Sequence, residues 1–203
     1  MKERVNNGSS VSGMLKKLVK THQNESSVSY EELVKTMGEK AYGLIAILFA
    51  LPSALPVSAI PGISFIFGLP IVFIAVHIIL ARPALWLPQT LAKRRIAMDK
   101  LSQVIKKTLP YLLYIERMLK TRWLFFSSPT MERLHGIVLL GLSLLLLLPI
   151  PFSNFFFSSL IILFGLGISE RDGIVLALAY LGSFLYALFL ISLARGLTHL
   201  IFS

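Results

Sequence analysis

Long apolar blocks alternate with charged connectors along this chain. Residues 43–81, 136–169 and 174–202 are almost wholly apolar, whereas residues 1–42 and 82–134 carry most of the charge. Apolar runs of this length predict membrane helices rather than the one-sided stripes of a soluble bundle. Prolines interrupt the first two blocks: Pro52, Pro56 and Pro61, with Gly62 after them, and then Pro149 and Pro151. Proline removes a backbone donor and clashes with the preceding turn, so each block is predicted to be two helical arms joined by a broken tip. Amphipathic helices are predicted outside the blocks. Val11, Met14, Leu15, Leu18 and Val19 recur at helical spacing opposite Lys16, Lys17 and Lys20, which fits either a membrane-surface anchor or a helix packed on the rest of the protein. Ile96, Leu101, Val104 and Ile105 alternate in the same way with Lys100, Lys106 and Lys107. Ser29, three residues before Glu32, fits a capping box that opens a helix at Tyr30 running toward the first block.

The two interrupted blocks resemble each other. Aligned from Ile60 and Ile150, six of twenty positions are identical, and residues 43–55 and 136–148 are both thirteen-residue arms that begin with glycine and precede proline. This pattern predicts an internal duplication. A thirteen-residue arm is about 20 Å long, short of the roughly 30 Å hydrocarbon core, which favours re-entrant hairpins whose broken backbone is enclosed by protein. Spanning hairpins, with preceding residues lengthening the first arm, are the alternative. Either form returns the chain to its starting side. The resulting division is an amphipathic N-terminal segment (1–42), hairpin repeat 1 (43–82), a basic amphipathic connector (83–134), hairpin repeat 2 (135–173) and a C-terminal transmembrane helix (174–203). An inverted second repeat needs a crossing between Arg82 and Arg133. There the best segment carries Glu116, Arg117, Lys120 and Arg122, which lipid disfavours. The predicted class is therefore an all-α integral membrane protein of two repeated proline-broken hairpins, a C-terminal transmembrane helix and amphipathic surface helices.

Composition fixes the compartment of the charge. Hydrophobic residues make up 55% of the chain and mean hydropathy is +0.75, too apolar for a water-soluble domain. Twenty basic residues face ten acidic ones, and residues 82–134 hold eleven of the basic and only three of the acidic. Under the positive-inside rule both basic segments, including the N-terminus, are predicted to be cytoplasmic and near anionic lipid headgroups. No nucleic-acid recognition module accompanies the charge. With no cysteine, the chain has no disulfide, thiol nucleophile or thiolate metal site. The four histidines are scattered and no carboxylate pair lies inside an apolar block, so no catalytic residue, metal or cofactor is expected and the chain reads as a non-enzyme.

Binding chemistry is more legible. His77 is the one ionisable residue well inside an apolar block, suited to a proton relay, an anion contact or a neutral bond to a nearby carbonyl. Ser64 and Asn154 are repeat equivalents just after the Ile-Pro pairs. Helix N-termini there would point amides and positive dipole ends inward, which suits a phosphate headgroup held between the tips. Arg82, Arg133 and Arg171 would attract it from the cytoplasmic leaflet, although Arg171 also has Glu170 and Asp172 beside it for local pairing, and Arg82 is placed to snorkel.

The stretches "GEKAYGLIAILFALPSALP", "IPGISFIFGLPIVFIAVHIILARPALWLP", "YIERMLKTRW" and "LLLLLPIPFSNFFFSSLIILFGLGISERDG" resemble, in order and spacing, the motifs of the bacterial ExoD (exopolysaccharide synthesis) membrane protein family. The resemblance covers residues 38–183 and implies a multi-pass protein of the bacterial inner membrane linked to exopolysaccharide production. Paired broken hairpins are also similar to the DedA superfamily, an architectural likeness without shared signature motifs, which implies handling of polyprenyl-phosphate or phospholipid carriers. The leading expectation is transport or flipping of a phosphate-bearing lipid carrier. A non-transporting scaffold for polysaccharide enzymes and an ion or proton exchanger centred on His77 are the alternatives. Expected partners are membrane lipids, anionic or polyprenyl-phosphate lipid among them, and a second copy of the chain covering helix surface that short hairpins leave exposed.

Overall fold

The capping box at Ser29 forms as its spacing predicts. The Ser29 hydroxyl accepts from the Glu32 amide at 3.2 Å and the Glu32 carboxylate accepts from the Ser29 amide at 3.0 Å. That backbone hydrogen bond, aided by the Ser29 hydroxyl, holds the Glu32 carboxyl below its ordinary range. The helix it opens, α2 (Tyr30–Met37), does not run on into the apolar block. Gly38 takes a φ of +55°, which ends α2, and a new helix, α3 (Lys40–Ala54), starts two residues later.

The computed structural model describes residues 10–22, 25–54, 63–82, 89–148 and 153–202. Before α2 come α1 (Val11–Thr21) and strand β1 (Ser27–Ser29); after α3 come α4 (Ile63–Ile79), α5 (Gln89–Ala92), strand β2 (Arg95–Ala97) and α6 (Met98–Met118). A 3₁₀ turn (Leu124–Ser127) leads into α7 (Pro129–Leu147), α8 (Ser153–Glu170) and α9 (Gly173–Phe202). Three helices are long and apolar enough to cross a membrane: α7, α8 and residues 173–193 of α9. The predicted all-helical membrane class therefore holds, with the short β1–β2 ribbon as its departure among the described residues. Pro52 sits inside the last turn of α3, which continues to Ala54. The breaks assigned to Pro56, Pro61, Gly62, Pro149 and Pro151 lie outside the described residues. Upstream, α7 begins seven residues before Gly136, where Ser128 caps it and Pro129 occupies the first turn. It is therefore about 28 Å long rather than the 20 Å of its apolar core.

Two crossings organise the membrane helices. α3 packs chiefly on α8, and α4 chiefly on α7, while α9 lies against α8. Small residues let the backbones meet. Gly43 on α3 faces the Gly165 carbonyl and the Ser169 amide on α8, leaving no room for a Cβ; Gly136 on α7 likewise faces the Ala75 carbonyl and the Ile79 amide on α4. Around these crossings Ala46, Ala50, Ile71, Ile74, Leu139, Leu146, Phe157, Ile161 and Phe164 form the core, each at helical spacing on its element. Leu48, Phe65, Ile66, Ile137, Phe155 and one side of α9 remain exposed, as apolar side chains are where lipid is the solvent.

The ends of these helices fall at two levels. The Tyr42 hydroxyl donates to the Arg82 carbonyl at 3.0 Å, Lys40 pairs with Glu170 at 3.5 Å, and Gly136 abuts Ile79. The starts of α3 and α7 and the ends of α4 and α8 thus share one end, here called the base. At the other end Gly68 of α4 meets Leu146 and Leu147 of α7.

A small lobe covers the base. It joins the N-terminal segment to the connector: β1 pairs antiparallel with β2, Val28 opposite Ile96, and α1 packs on α6. Leu18, Val28, Met98, Leu101 and Ile105 fill its core, so the apolar stripes of both amphipathic helices face each other. Lys16, Lys17, Lys20, Lys106 and Lys107 stay exposed.

Candidate functional site

At the base, where the four helix ends converge, lies a cavity of about 180 Å³. That holds several waters or one phosphate-sized group. Charged and polar side chains reach it from four places: Glu39 and Tyr42 at the start of α3, Arg82 after α4, Glu132 and His135 in the first two turns of α7, and Arg171 after α8. Local backbone geometry sets two of them. α4 and α8 end in the same motif, a left-handed residue (Ala81, φ 49°; Arg171, φ 52°) followed by an amide that bonds back five residues, Arg82 to the His77 carbonyl and Asp172 to the Gly167 carbonyl. This turn directs the chain around the cavity at both helix ends.

Arg171 bridges the two hairpins. Its guanidinium donates to the Glu39 carboxylate at 2.8 Å, and both side chains are about half exposed (51%). Glu132 makes no ion pair within 4 Å among the described residues, although Glu39 and Arg171 both act on it through space. His135 is buried with both ring nitrogens engaged, Nε2 to the Phe126 carbonyl at 2.8 Å and Nδ1 to the Tyr180 hydroxyl at 2.6 Å. A carbonyl only accepts, so Nε2 carries the proton and Nδ1 accepts from Tyr180. Phe126 stacks on the ring, with centroids 6.3 Å apart. His135 thus ties the 3₁₀ turn to α9 and forms one wall of the cavity.

Beneath the cavity, "LKTRW" and "ERDG" lock together. Fully buried Asp172 accepts from the Lys120 amide at 2.8 Å and the Ile174 amide at 3.0 Å, with the Arg122 guanidinium 3.6 Å away. The Gly173 amide donates to the Arg122 carbonyl at 2.9 Å, and a Cβ on Gly173 would strike Trp123 and that carbonyl. Glu116 accepts from the Ser12 amide at 2.7 Å and from the Ser12 hydroxyl, anchoring the start of α1.

Of the six residues expected to bind an anion, Arg82 and Arg171 meet at this cavity. His77 lies on α4 outside it, its Nδ1 bonded to the Phe73 carbonyl one turn back at 2.9 Å. Arg133 is exposed on the first turn of α7 and does not line the cavity. Asn154 lies at the far end, in the first turn of α8. Ser64 starts α4 at that same end, and its side chain lies outside the described residues. Glu39, Glu132, Tyr42 and His135 were not singled out from the sequence. Their signal is present one turn upstream of the arms, where "EKAYG" and "ERLHG" repeat Glu-(Lys/Arg)-x-(Tyr/His)-Gly. Among the described residues no group of three or more His, Asp or Glu is placed to hold a metal.

A family model described as "Exopolysaccharide synthesis, ExoD" matches residues 11–192. Protein ExoD of Rhizobium meliloti is 34% identical over 159 residues, 76% of this chain and 65% of the rhizobial protein, so the match spans just under two thirds of that relative's length. An uncharacterized protein of Synechocystis sp. is 29% identical over 167 residues, covering 82% of this chain and 78% of the relative. No solved structure matches the chain.

Proposed function

The chain belongs to the ExoD exopolysaccharide-synthesis family, and from that premise we propose that it serves exopolysaccharide production by moving a phosphate-bearing lipid carrier whose headgroup enters the base cavity. The observation that carries this reading is the meeting of Arg82 and Arg171 at one phosphate-sized cavity between the hairpins. A guanidinium matches a phosphate with paired N–H donors. Glu39 pairs with the Arg171 guanidinium, and their half-exposed pair is open to exchange for an entering anion.

An internal duplication supports the same reading. Glu39 and Glu132, Gly43 and Gly136, and Tyr42 and His135 each stand ninety-three residues apart; Ala75 and Gly165, Ile79 and Ser169, and Ala81 and Arg171 each stand ninety apart. The contacts obey that correspondence atom for atom, since each crossing glycine faces the carbonyl and amide of equivalent residues. Both helix pairs open toward the base, which supports parallel rather than inverted repeats. α3, about 22 Å long, stays short of the hydrocarbon core, as a re-entrant arm does; α7 and α8 approach its thickness. The exposed lysines of the base lobe support, by the positive-inside rule, a cytoplasmic side for it.

Binding of a short-chain polyprenyl phosphate to the purified protein in zwitterionic nanodiscs tests this. Charge-assisted hydrogen bonds contribute about 1.5–3 kcal/mol each, so Arg171→Gln and Arg82→Gln should each weaken binding by about tenfold or more. Unchanged affinity in both variants would remove the cavity as the headgroup site.

A further inference from the structure

The two carboxylates of the cavity occupy equivalent positions in unequal surroundings. Glu39 and Glu132 each stand four residues before a crossing glycine and each lines the cavity. The left-handed residue after α8 is Arg171, which reaches Glu39; its equivalent after α4 is Ala81, which brings no charge to Glu132. Arg171 therefore lies within electrostatic reach of both carboxylates while bonding only one. The other ionisable residues lining the cavity are Tyr42, Arg82 and, one turn on from Glu132 along α7, His135. His135 has both nitrogens engaged, and the Tyr42 hydroxyl is committed as a donor to the Arg82 carbonyl. The carboxylates are thus the proton acceptors left in the cavity.

We propose that entry of an oxyanion into this cavity takes up one proton, shared by Glu39 and Glu132, with Arg171 exchanging Glu39 for the anion. This rests on the headgroup reading above. Two carboxylate residues, Glu39 and Glu132, and two arginines, Arg82 and Arg171, line the cavity, so its formal charge is balanced. An entering oxyanion takes the Arg171 N–H donors, so the N–H···O bonds to Glu39 break and equivalent bonds to the anion form. Glu39 is then left facing Glu132 and the anion. Two carboxylates sharing a site do not both stay ionised, and the pair takes one proton from water as a single coupled unit. Anion charge and proton then enter together, and linkage requires anion affinity to rise as pH falls through the titration of that pair.

Sulfate is the appropriate probe, because unlike a phosphate monoester it does not itself titrate near neutrality. Calorimetric titration of the purified protein with sulfate, in two buffers of different ionisation enthalpy, counts protons directly. The wild-type chain should take up about one proton per sulfate, with affinity rising by up to about tenfold per unit of falling pH. Glu132→Gln should bind sulfate with proton uptake near zero. Ala81→Arg, at a position whose left-handed backbone its equivalent already supports with arginine, gives Glu132 its own partner and should likewise abolish uptake without removing a carboxylate. Wild-type binding with no proton uptake overturns the coupling and leaves the headgroup reading standing. Uptake that persists in both variants locates the proton elsewhere and overturns the assignment to this pair. Failure of both sulfate and the polyprenyl phosphate to bind overturns the headgroup reading and the coupling with it.

Discussion

Asp172 has no exposed surface, and its role is structural. Its carboxylate accepts from the Lys120 and Ile174 amides, the second as the N-cap of α9, while Arg122 approaches from the side. A buried amide left without its acceptor costs about 1–3 kcal/mol. Asp172→Ala should therefore destabilise the protein by about 3 kcal/mol and free the "LKTRW" segment from the end of α8, read as a lower thermal midpoint in detergent. An unchanged midpoint would show that the clamp contributes nothing to stability. Arg171 next to it faces away from this clamp, toward Glu39, so adjacent residues of one motif divide between holding the fold and lining the cavity. His77 illustrates the reverse. An ionisable residue in an apolar block draws attention, but the one hydrogen bond shown for its ring, from Nδ1, stays within its own helix.

At the scale of the elements, the crossings depend on the absence of side chains. Valine at Gly43 would drive its Cβ into the Gly165 carbonyl and the Ser169 amide, backbone atoms that cannot rotate aside. Overpacking of this kind costs about 3 kcal/mol or more. Gly141, on the same bundle, has nothing within 4 Å of its would-be Cβ, so Gly141→Ala should be neutral or stabilising by about 0.5–1 kcal/mol. Comparing the thermal midpoints of Gly43→Val and Gly141→Ala separates crossing contact from helix propensity; equal midpoints would contradict the crossing. Helix boundaries follow a similar local logic. The Ser29 box and the Ser128 cap are readable as spacing, while the stop at Gly38 requires knowing that its φ is positive.

For the whole molecule, the decisive fact is that both hairpins open at the base and that the N-terminal segment and the connector fold there as one lobe. Single cysteines in this cysteine-free chain provide the check. Cysteines replacing Glu25 and Lys107, both exposed on the lobe, should label from the same side of the membrane, and one replacing Arg195 near the end of α9 should label from the other. Labelling of positions 25 and 107 from opposite sides would break the lobe apart and restore the inverted topology.

The order of apolar and charged blocks, the amphipathic stripes, the likeness of the two interrupted blocks and the family motifs are all written in the sequence, because each depends on neighbours a few residues away or on direct comparison of two stretches. Hydropathy and helical spacing suffice for them. The partnership of Glu39, Glu132, Arg82 and Arg171 does not arise that way. It follows from α3 crossing α8 and α4 crossing α7, which is set by where two glycines let backbones touch, and from helix ends forty to more than a hundred residues apart arriving at one level. Even the glutamate repeat, visible once sought, acquires a meaning only when the fold brings both copies to the same cavity. Local chemistry therefore determined what kind of protein this is, and long-range packing decided which of its charges meet.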